Sequence, residues 1–432
     1  MDKVLVFTYY WPPSGGPAVQ RWLALSQLLP QFGIEPIIVA PHEQYASYVL
    51  LDESLNKRIP KNLKVVKTKT FEVLNFYQKS LGKGKLPTAG FANESNPSFL
   101  QKVARWVRGN LFFPDPRKGW NKHALKAARK IVKEENIKAV ITAGPPQSTH
   151  LIGQQLKKEF DLFWLCDFHD AWTNVWYYDE LMKTSFARKL DLKMELKVLR
   201  ECDYIITVGR QIILDFKSKL GSKEKIKLHS MGFDDDMIAH APAINKDEFV
   251  ICYTGTMATN YEPQVVFNAI KNITDKNPKA KIKVELYGLI ATDIIDYANS
   301  IGLEMHVDFK GYVPHKQAVK AIQNAAMLLL VSPNTTQAKM IIPGKIYEYL
   351  ATRKPILNLA EIGTETHEII EECKAGSTFN RSATNEIEAF INRAYNQWRK
   401  EPKSILNKDD SFLKYSRKAE AESLAKVLLS KF

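Results

Sequence analysis

Residue types that bind nucleotides stand close together at the start of a predicted helix in the C-terminal half. The segment 342–350 reads Ile-Pro-Gly-Lys-Ile-Tyr-Glu-Tyr-Leu, and Pro343 suits the first turn of a helix. Free N–H groups and the helix dipole attract an anion there, and Lys345 adds a positive charge beside Gly344. Glu348 lies one turn further on, where its carboxylate can accept both hydroxyls of a ribose. The spacing predicts a nucleoside diphosphate site; a capped helix with an exposed lysine and glutamate is the alternative.

A pair of glycines follows the first predicted strand. That strand, Val4–Phe7, runs into Tyr-Tyr-Trp-Pro-Pro-Ser-Gly-Gly at positions 9–16, and a helical stretch covers about Pro17–Phe32. Open α/β sheets bind their ligands at the carboxyl ends of parallel strands. Gly15 and Gly16 let a phosphate or a sugar approach backbone N–H groups without a Cβ in the way. The lack of a GxGxxG spacing after this strand argues against a dinucleotide-dependent oxidoreductase.

An imidazole and a carboxylate follow a later strand. Residues 167–172 read Asp-Phe-His-Asp-Ala-Trp after the predicted strand Phe163–Cys166. His169 and Asp170 are therefore expected at a strand end, where either side chain can orient or deprotonate the hydroxyl of an acceptor. A structural role is the alternative, because aspartates in loops commonly cap turns. Asp167 is expected to hold the turn.

The sequence predicts neither a metal site nor a disulfide framework. Asp234-Asp235-Asp236 contains a DxD spacing, but it lies in a predicted crossing between domains and is expected to form a turn or a cap. The four cysteines are far apart and lack a CxxC pair, which favours reduced core cysteines in a cytoplasmic protein. No apolar run approaches the ~20 residues of a membrane span.

The positive charge of the chain is concentrated in one segment. The formal net charge is +14, and residues 57–138 hold 20 lysines and arginines against 5 acidic residues, a local net of +15. The remaining residues therefore sum to −1. An anionic membrane surface, an anionic acceptor and nucleic acid are the candidate partners, and a solvated basic face is the alternative. No nucleic-acid-binding module is recognisable, so nucleic acid is not expected.

A basic amphipathic helix is predicted within this segment, at about Phe99–Gly109. Its apolar stripe includes Val103 and Trp106, and its basic residues include Lys102 and Arg105. A basic amphipathic helix with a tryptophan is typical of interfacial membrane binding. A helix that packs on its own domain is the alternative.

Strands and helices alternate throughout the chain, which predicts an α/β protein with parallel sheets covered by helices. A chain of 432 residues exceeds the usual size of one core, so two domains are expected. We expect an N-terminal domain at about 1–230 with a basic insertion at about 57–120. A C-terminal domain is expected at about 235–405 and a closing helix at about 411–432.

Several segments, in the same order, resemble a GT-B glycosyltransferase of family 4. The N-terminal Tyr-Tyr-Trp-Pro-Pro-Ser-Gly-Gly resembles the family's Gly-Gly loop, and Asp203–Val208 resembles the strand that ends its N-terminal domain. Tyr253–Thr256, Phe309–Pro314 and the segment 343–350 resemble its donor-binding loops and helix. Three further segments resemble a bacterial branch that builds surface polysaccharides or glycolipids: Arg108–Pro116, Gly144–His150 and Asp167–Trp172.

The resemblance implies a fold and a reaction. The implied fold has two Rossmann-like domains facing a cleft, with the closing helix returning to the N-terminal domain. The implied reaction is the retaining transfer of a sugar from a nucleotide sugar, bound by the C-terminal domain, to a glycan or lipid-linked acceptor, bound by the N-terminal domain. No metal or other cofactor is implied. An acceptor of this kind implies a cytoplasmic protein that contacts the inner face of the membrane peripherally through residues 57–138.

The resemblance also assigns roles to matching positions. Glu348 would bind the ribose, the backbone near Tyr312 and Val313 would meet the base, and the other residues would contact the diphosphate or the sugar. The predicted donor-binding residues are, in chain order, Gly15, Gly16, Gly255, Thr256, Tyr312, Val313, Gly344, Lys345 and Glu348. The candidate catalytic residues are Asp170 and His169.

The chain departs from the family pattern at three places. Met340 stands where the family often has a second glutamate, and the segment 257–261 lacks the arginine and lysine often found after the first donor-domain strand. His169 and Ala171 replace the arginine and proline of the bacterial branch. These departures leave open a second hypothesis, a catalytically silent relative that binds a nucleotide or a glycan.

Overall fold

The chain forms two compact units. The first comprises Met1–Met231 together with Arg417–Phe432, and the second comprises Gly232–Ser416. The loop-rich stretches predicted between residues 79 and 97 lie outside the described residues. The computed structural model describes residues 1–48, 50–72, 99–175, 177–221, 225–238, 243–335, 339 and 341–432.

The described strands of the first unit form one parallel sheet of seven strands. Their bounds are β1 (Asp2–Thr8), β2 (Ile34–Pro41), β3 (Val65–Thr68), β4 (Ile137–Gly144), β5 (Phe163–Phe168), β6 (Tyr204–Thr207) and β7 (Ile226–Leu228). The strand order is β3-β2-β1-β4-β5-β6-β7. The carboxyl ends of β1, β4 and β5 are therefore neighbours at one edge of the sheet. This edge is where the sequence predicts Gly15, Gly16, His169 and Asp170.

Six α-helices connect the described strands of this unit. They are α1 (Pro17–Leu28), α2 (Phe99–Leu111), α3 (Asn121–Glu134), α4 (His150–Phe160), α5 (Ser185–Glu201) and α6 (Arg210–Leu220). The helical stretch predicted up to Phe32 ends earlier as an α-helix, because Leu29–Phe32 tightens into a 3-10 turn that Gly33 closes at φ 84°. Glycine is favoured in this left-handed conformation.

The second unit contains a parallel sheet of six described strands and six helices. The strand order is β10-β9-β8-β11-β12-β13. The strands are β8 (Phe249–Thr254), β9 (Ile282–Tyr287), β10 (Val307–Gly311), β11 (Met327–Val331), β12 (Ile356–Leu359) and β13 (Gly376–Phe379). The helices are α7 (Gln264–Lys276), α8 (Thr292–Ser300), α9 (His315–Asn324), α10 (Lys345–Ala351), α11 (Glu365–Glu372) and α12 (Thr384–Lys400).

The central strands are apolar runs because both faces of each sheet are covered. Residues 4–7 of β1 and 327–330 of β11 are completely buried, and strands of covered parallel sheets typically lack alternation. The helices, by contrast, bury one stripe. On α3 the buried residues include Ala124, Ala128 and Ile131, which are spaced by four and three positions.

The closing helix α13 (Arg417–Leu429) belongs to the first unit. Its Ala421, Leu424 and Leu428 are buried in the core of that unit. The sequence predicts this helix from about Ser411, and that start is wrong. Ser411–Tyr415 forms a separate 3-10 turn in the second unit, and Ser416 is extended at φ −71° and ψ 146°, which interrupts the helix where the chain crosses back.

Helix α2 presents its apolar stripe outward. Arg105 pairs with Glu180 at 2.9 Å, and a Cβ at Gly109 would lie 2.3 Å from the backbone oxygen of Leu181, so this side of the helix packs closely on its own unit. Val103 and Trp106, on the other side, are each 43% exposed. No helix among the described residues is both long and apolar enough to cross a membrane.

Candidate functional site

Two glycines bring strand ends of the second unit into direct backbone contact. Gly255 follows β8 and Gly288 follows β9, with φ of +123° and +124°. A Cβ at Gly288 would lie 2.1 Å from the backbone oxygen of Gly255, so only glycine fits there. The Gly288 N–H donates to the Gly311 oxygen at 2.7 Å. These contacts align the ends of β8, β9 and β10.

Lys345 lies against this glycine pair. Its Nζ is 2.6 Å from the position that a Cβ on Gly255 would take, and 4.0 Å from the centre of the Tyr253 ring. Burial lowers the pKa of Lys345 to about 7, while the nearby Glu348 raises it. The cation–π contact supports the charged form only in part. An anion beside Gly255 would restore the full charge of the ammonium.

Glu348 points to the neighbouring helix α9. Its Oε1 lies 3.0 Å from Nε2 of His315, the first residue of α9. The Glu348 side chain is 24% exposed and that of His315 57% exposed. The carboxylate is thus oriented by an imidazole and still open to solvent, as a carboxylate that accepts hydroxyl groups must be.

The predicted helix start at Pro343 is wrong by two residues. Helix α10 begins at Lys345, and Gly344 is its N-cap. The Ile346 N–H donates to the Pro343 oxygen at 3.0 Å and the Tyr347 N–H to the Gly344 oxygen at 3.3 Å, so the chain enters the helix through tight turns. With seven residues, α10 aligns few peptide dipoles, and the charge at this position comes mainly from Lys345.

The remaining donor-site candidates lie at the same strand ends. Thr256 is exposed, and its backbone oxygen accepts the Tyr253 hydroxyl at 2.7 Å. Tyr312 is 79% exposed directly after β10, and Val313 beside it is half-buried. The predicted departure at Met340 lies outside the described residues.

Gly288 and His315 were not predicted from the sequence as residues of this site, and Tyr253 was predicted only as part of the loop Tyr253–Thr256. All three contact the predicted residues because β8, β9 and α9 are neighbours in the fold. A glycine directly after a strand was the available signal for Gly288. His315 directly follows Pro314 in the segment Phe309–Pro314, where the sequence predicted a donor loop.

A buried carboxylate organises the other set of candidates, in the first unit. Asp167 is completely buried and accepts Trp22 Nε1 at 2.9 Å and Arg21 Nε at 3.2 Å. His169 Nε2 lies 2.9 Å from the same carboxylate oxygen, Oδ2. Burial by itself raises the pKa of Asp167, but its hydrogen-bonded neighbours Arg21 and His169 outweigh burial and hold that pKa below its usual range. Asp167 stays ionised, as a structural anchor requires.

His169 is fixed at one ring nitrogen, and the other has no partner among the described residues. Its side chain is 8% exposed, Nε2 contacts Asp167, and the buried Nδ1 has no hydrogen-bond partner. Since Nε2 is engaged by Asp167, Nδ1 is the ring nitrogen that remains for a ligand. Asp170 follows directly, and burial raises the pKa of its carboxyl, while His169 lowers it.

Gly15 and Gly16 lie at the end of β1 and the start of α1. Gly16 has φ 107° and ψ 168°, a conformation that is essentially restricted to glycine. A Cβ built on Gly16 would meet no described atom within 4 Å, whereas one on Gly15 would be in ordinary contact with Leu50 and Asp52. Space is therefore open in front of Gly16. Helix α1 connects this loop to His169, because its Arg21 and Trp22 bind Asp167.

The described residues contain no group of three or more histidine, cysteine or acidic side chains with the geometry of a metal site. The DxD run forms part of a short 3-10 turn at Asp235–Met237.

No family model matches the chain, and no curated protein matches it. The fold does match solved structures over the whole chain. Anabaena Alr3699/HepE in complex with UDP is 13% identical, with a TM-score of 0.56 and coverage of 100% of both chains. A glycosyltransferase from Rickettsia africae ESF-5 is 11% identical, with a TM-score of 0.60 and coverage of 100% of this chain and 98% of that chain.

A third similar structure is a mutant of S. aureus TarM in complex with Fondaparinux, alpha-GlcNAc-glycerol and UDP. It is 12% identical, with a TM-score of 0.56 and coverage of 100% of this chain and 99% of that chain. At such identities the likeness defines the fold. The fold is GT-B, with two α/β units built on parallel sheets, as the sequence predicts.

Gly288 supplies a test of the loop packing. We expect Gly288→Ala to lower the free energy of unfolding by about 3 kcal/mol or more, because it combines backbone strain at positive φ with a clash against Gly255. Gly302→Ala is the matched control: Gly302 has φ +75°, but a Cβ there meets only Lys271 Cε at 3.9 Å. The control should lose about 1 kcal/mol. Denaturant unfolding measures both, and equal losses would contradict the clash.

Proposed function

We propose that this protein is a glycosyltransferase that moves a sugar from a nucleotide-sugar donor to an acceptor. The observation that carries the proposal is the site in the second unit. There Lys345 contacts Gly255, and His315 orients the solvent-accessible carboxylate of Glu348. The likeness of the whole fold to a structure solved with UDP supports a uridine nucleotide as the first candidate. The donor's diphosphate would lie against Gly255, Thr256 and Lys345.

The remaining donor contacts follow from the same strand ends. Glu348 would accept the ribose hydroxyls, and the base would approach the backbone at Tyr312 and Val313. The loop at Gly15 and Gly16 would meet the sugar or its phosphates, since the space in front of Gly16 is open. Gly15, Gly16, Tyr312 and Val313 support these assignments because they lie after the carboxyl ends of parallel strands. Glu348 supports them because its carboxylate, on helix α10, is open to solvent.

The chemistry requires stabilisation of the leaving group more than a strong base. As the bond between the sugar and the diphosphate breaks, negative charge accumulates on the diphosphate. The Lys345 ammonium, desolvated against Tyr253 and Gly255, would oppose that charge more strongly than a solvated lysine. We infer that the transfer retains the anomeric configuration, as the resemblance to family 4 implies.

His169 is our candidate for the group that activates the acceptor. Its Nδ1 would accept the proton of the attacking hydroxyl, and Asp167 would stabilise the resulting imidazolium through Nε2. Asp170 would orient the same hydroxyl. Support comes from the fixed orientation of the ring and the lack of a partner for Nδ1 among the described residues.

We propose a glycan or lipid-linked acceptor of bacterial surface polysaccharide or glycolipid synthesis, reached at the inner face of the cytoplasmic membrane. The outward apolar side of α2, with Val103 and Trp106, lies within the basic segment 57–138. Apolar side chains flanked by positive charge complement an anionic lipid surface. No metal or other cofactor enters the proposal.

A nucleotide titration tests the proposed function. A thermal-shift screen with UDP, GDP, ADP and CMP should find stabilisation by at least one nucleoside diphosphate. For that nucleotide, we expect the affinity to fall by about tenfold between pH 7 and pH 8.5, because Lys345, with a pKa of about 7, loses its proton in the ligand-free protein. The terminal phosphate is already ionised over this range.

The matched variants are Lys345→Arg and Lys345→Met. The arginine variant stays charged and should lose the pH dependence, whereas the methionine variant should lose both the pH dependence and most of the affinity. Isothermal titration calorimetry at each pH gives these values. No stabilisation by any of the nucleotides would refute the donor site, and hydrolysis of the matching nucleotide sugar separates an enzyme from a silent binding protein.

His169 is tested by turnover. We expect His169→Gln to lower kcat about a hundredfold or more, in the range typical for loss of a general base, and to leave nucleotide affinity within twofold. His306→Gln is the control, because His306 directly precedes β10, at the amino end of that strand, whereas the site residues follow the carboxyl ends of strands. Full turnover in a folded His169→Gln protein would exclude His169 as the base, and a larger loss in Asp170→Asn would transfer the role to Asp170.

Membrane contact is tested by sedimentation with vesicles. The protein should sediment with vesicles that contain phosphatidylserine, release at high salt, and stay in the supernatant with neutral vesicles. Trp106→Ser should weaken the binding at least threefold, whereas Met305→Ser, at an 80% exposed position of the second unit, should not. Vesicle binding that changes neither with salt nor in Trp106→Ser would contradict the proposed surface.

A further inference from the structure

An arginine of the first unit lies on aromatic rings at the end of β1. The guanidinium carbon of Arg117 is 5.3 Å from the centre of the Tyr9 ring and 5.6 Å from that of the Tyr10 ring. Both tyrosines follow β1 directly and precede the glycine loop. Arginine stacks readily on aromatic faces because its charge is delocalised over a plane.

The loop that carries Arg117 is fixed to the end of β4. Asp115 accepts the Arg117 N–H at 2.9 Å and, from the turn after β4, the Ser148 hydroxyl at 2.9 Å and the Ser148 N–H at 2.7 Å. The carboxylate of Asp115 is occupied by these donors. Arg117 is therefore held at the carboxyl ends of two neighbouring strands, β1 and β4.

Few N–H donors of the Arg117 guanidinium have a hydrogen-bond partner among the described residues. Its Nη2 donates to the Ser47 oxygen at 3.4 Å, and its buried Nε has no hydrogen-bond partner. No carboxylate oxygen of the described residues lies within 4.0 Å of its nitrogens. The nearby Glu72 instead accepts Tyr9 and the Ser47 N–H. A guanidinium has five N–H donors, so most of them are available to a ligand.

Electrostatics keeps Arg117 charged. Burial by itself lowers its pKa, but Tyr10, Tyr9 and Glu72 outweigh that effect, and the pKa is raised above its ordinary value. Glu72 and Asp115 contribute to this effect, but neither forms an ion pair with the guanidinium, and a half-buried cation without a paired carboxylate is costly. An anionic ligand would remove that cost.

A second arginine, Arg108 of α2, approaches the same place. Burial lowers the pKa of Arg108, Tyr177 raises it, and the like charge of Arg117 lowers it further. Burial also raises the pKa of Tyr177, which responds to Asp170 as well as to both arginines. Tyr177 thus interacts electrostatically with Arg108, Arg117 and Asp170. Gln147, next to Ser148, donates to the backbone oxygens of Asp170 at 3.5 Å and Ala171 at 3.4 Å, so the turn that holds the Arg117 loop also contacts the predicted acceptor residues after β5.

We propose that Arg117 binds a phosphoryl group of the acceptor next to His169 and Asp170. The positive potential of Arg117 and of the nearby Arg108 favours an anion that carries more than one negative charge, which favours a phosphate over a single carboxylate. The assignment to the acceptor rests on the proposed function, whereas the phosphate site itself rests on the contacts of Arg117. The site also gives part of the basic segment 57–138 a role other than membrane contact.

Inorganic phosphate is the probe for this site. The full chain is first saturated with UDP, which occupies the donor site, and is then titrated with phosphate at constant ionic strength by calorimetry. Phosphate should bind the UDP-saturated protein, and acetate should bind at least tenfold more weakly. Arg117→Gln should weaken phosphate binding at least tenfold. Arg117→Lys keeps the charge and loses the planar fork, so its phosphate affinity should lie between those of the wild type and Arg117→Gln.

The control variant is Arg129→Gln. Arg129 lies on the surface of α3, where it pairs with Glu159 at 2.7 Å, and its loss should leave phosphate affinity within twofold. Circular dichroism and the thermal midpoint verify that each variant is folded. Unchanged phosphate affinity in folded Arg117→Gln, or no phosphate binding by the UDP-saturated wild type, would overturn the proposal.

Two further measurements separate this proposal from the proposed function and identify the source of the phosphate. If UDP, GDP, ADP and CMP all fail to bind, the donor site fails, and Arg117-dependent phosphate binding to the free protein still supports the anion site. Loss of UDP affinity in Arg117→Gln would overturn the assignment to the acceptor. Hexyl phosphate binding about tenfold tighter than inorganic phosphate supports a lipid-linked acceptor; equal binding supports a water-soluble phosphorylated one.

Discussion

The buried carboxylate of Asp167 is the interaction on which the predicted acceptor side of this protein depends. It lies at the end of β5 and receives donors from α1 and from its own loop. Without it, the buried Arg21 would lose its counter-ion, and His169 would lose the contact that fixes its ring. Removal of one partner from a buried ion pair is strongly destabilising. The carboxylate thus fastens α1 to the end of β5 and orients the ring of His169, the proposed base.

The second unit uses close backbone contact instead of a buried charge. Gly255 and Gly288 let two strand ends touch, and the Lys345 side chain occupies the space that a Cβ on Gly255 would need. The lysine is therefore desolvated by the same packing that aligns the loops. This desolvation lowers the pKa of Lys345. An anion that binds beside the ammonium would raise that pKa again. The first unit thus buries the ionised Asp167 with its partners, whereas the second unit packs Lys345 where its positive charge is only partly compensated.

The fold was largely predictable from the sequence, because strand and helix periodicities alternate clearly and because glycines follow the strands. Lys345 and Glu348 could be identified from helical spacing within one short segment. Gly288, His315 and Arg117 could not, because their partners come from other strands and helices. Arg21 and Trp22 are 146 and 145 residues from Asp167, and no local pattern relates them. Helix ends were also missed, at Pro343 and Ser411, where tight turns precede the α-helix.

The return of α13 to the first unit has a consequence for synthesis of the chain. Ala421, Leu424, Ala425 and Leu428 fill the core beside α1, yet they are made after the whole second unit. During translation the apolar face that they cover stays uncovered until residues 421–428 leave the ribosome. The first unit therefore completes its core after the second unit has been synthesised, although its sheet is made first. The nascent chain must keep that face from aggregating for the duration of synthesis of some two hundred residues, residues 232–429.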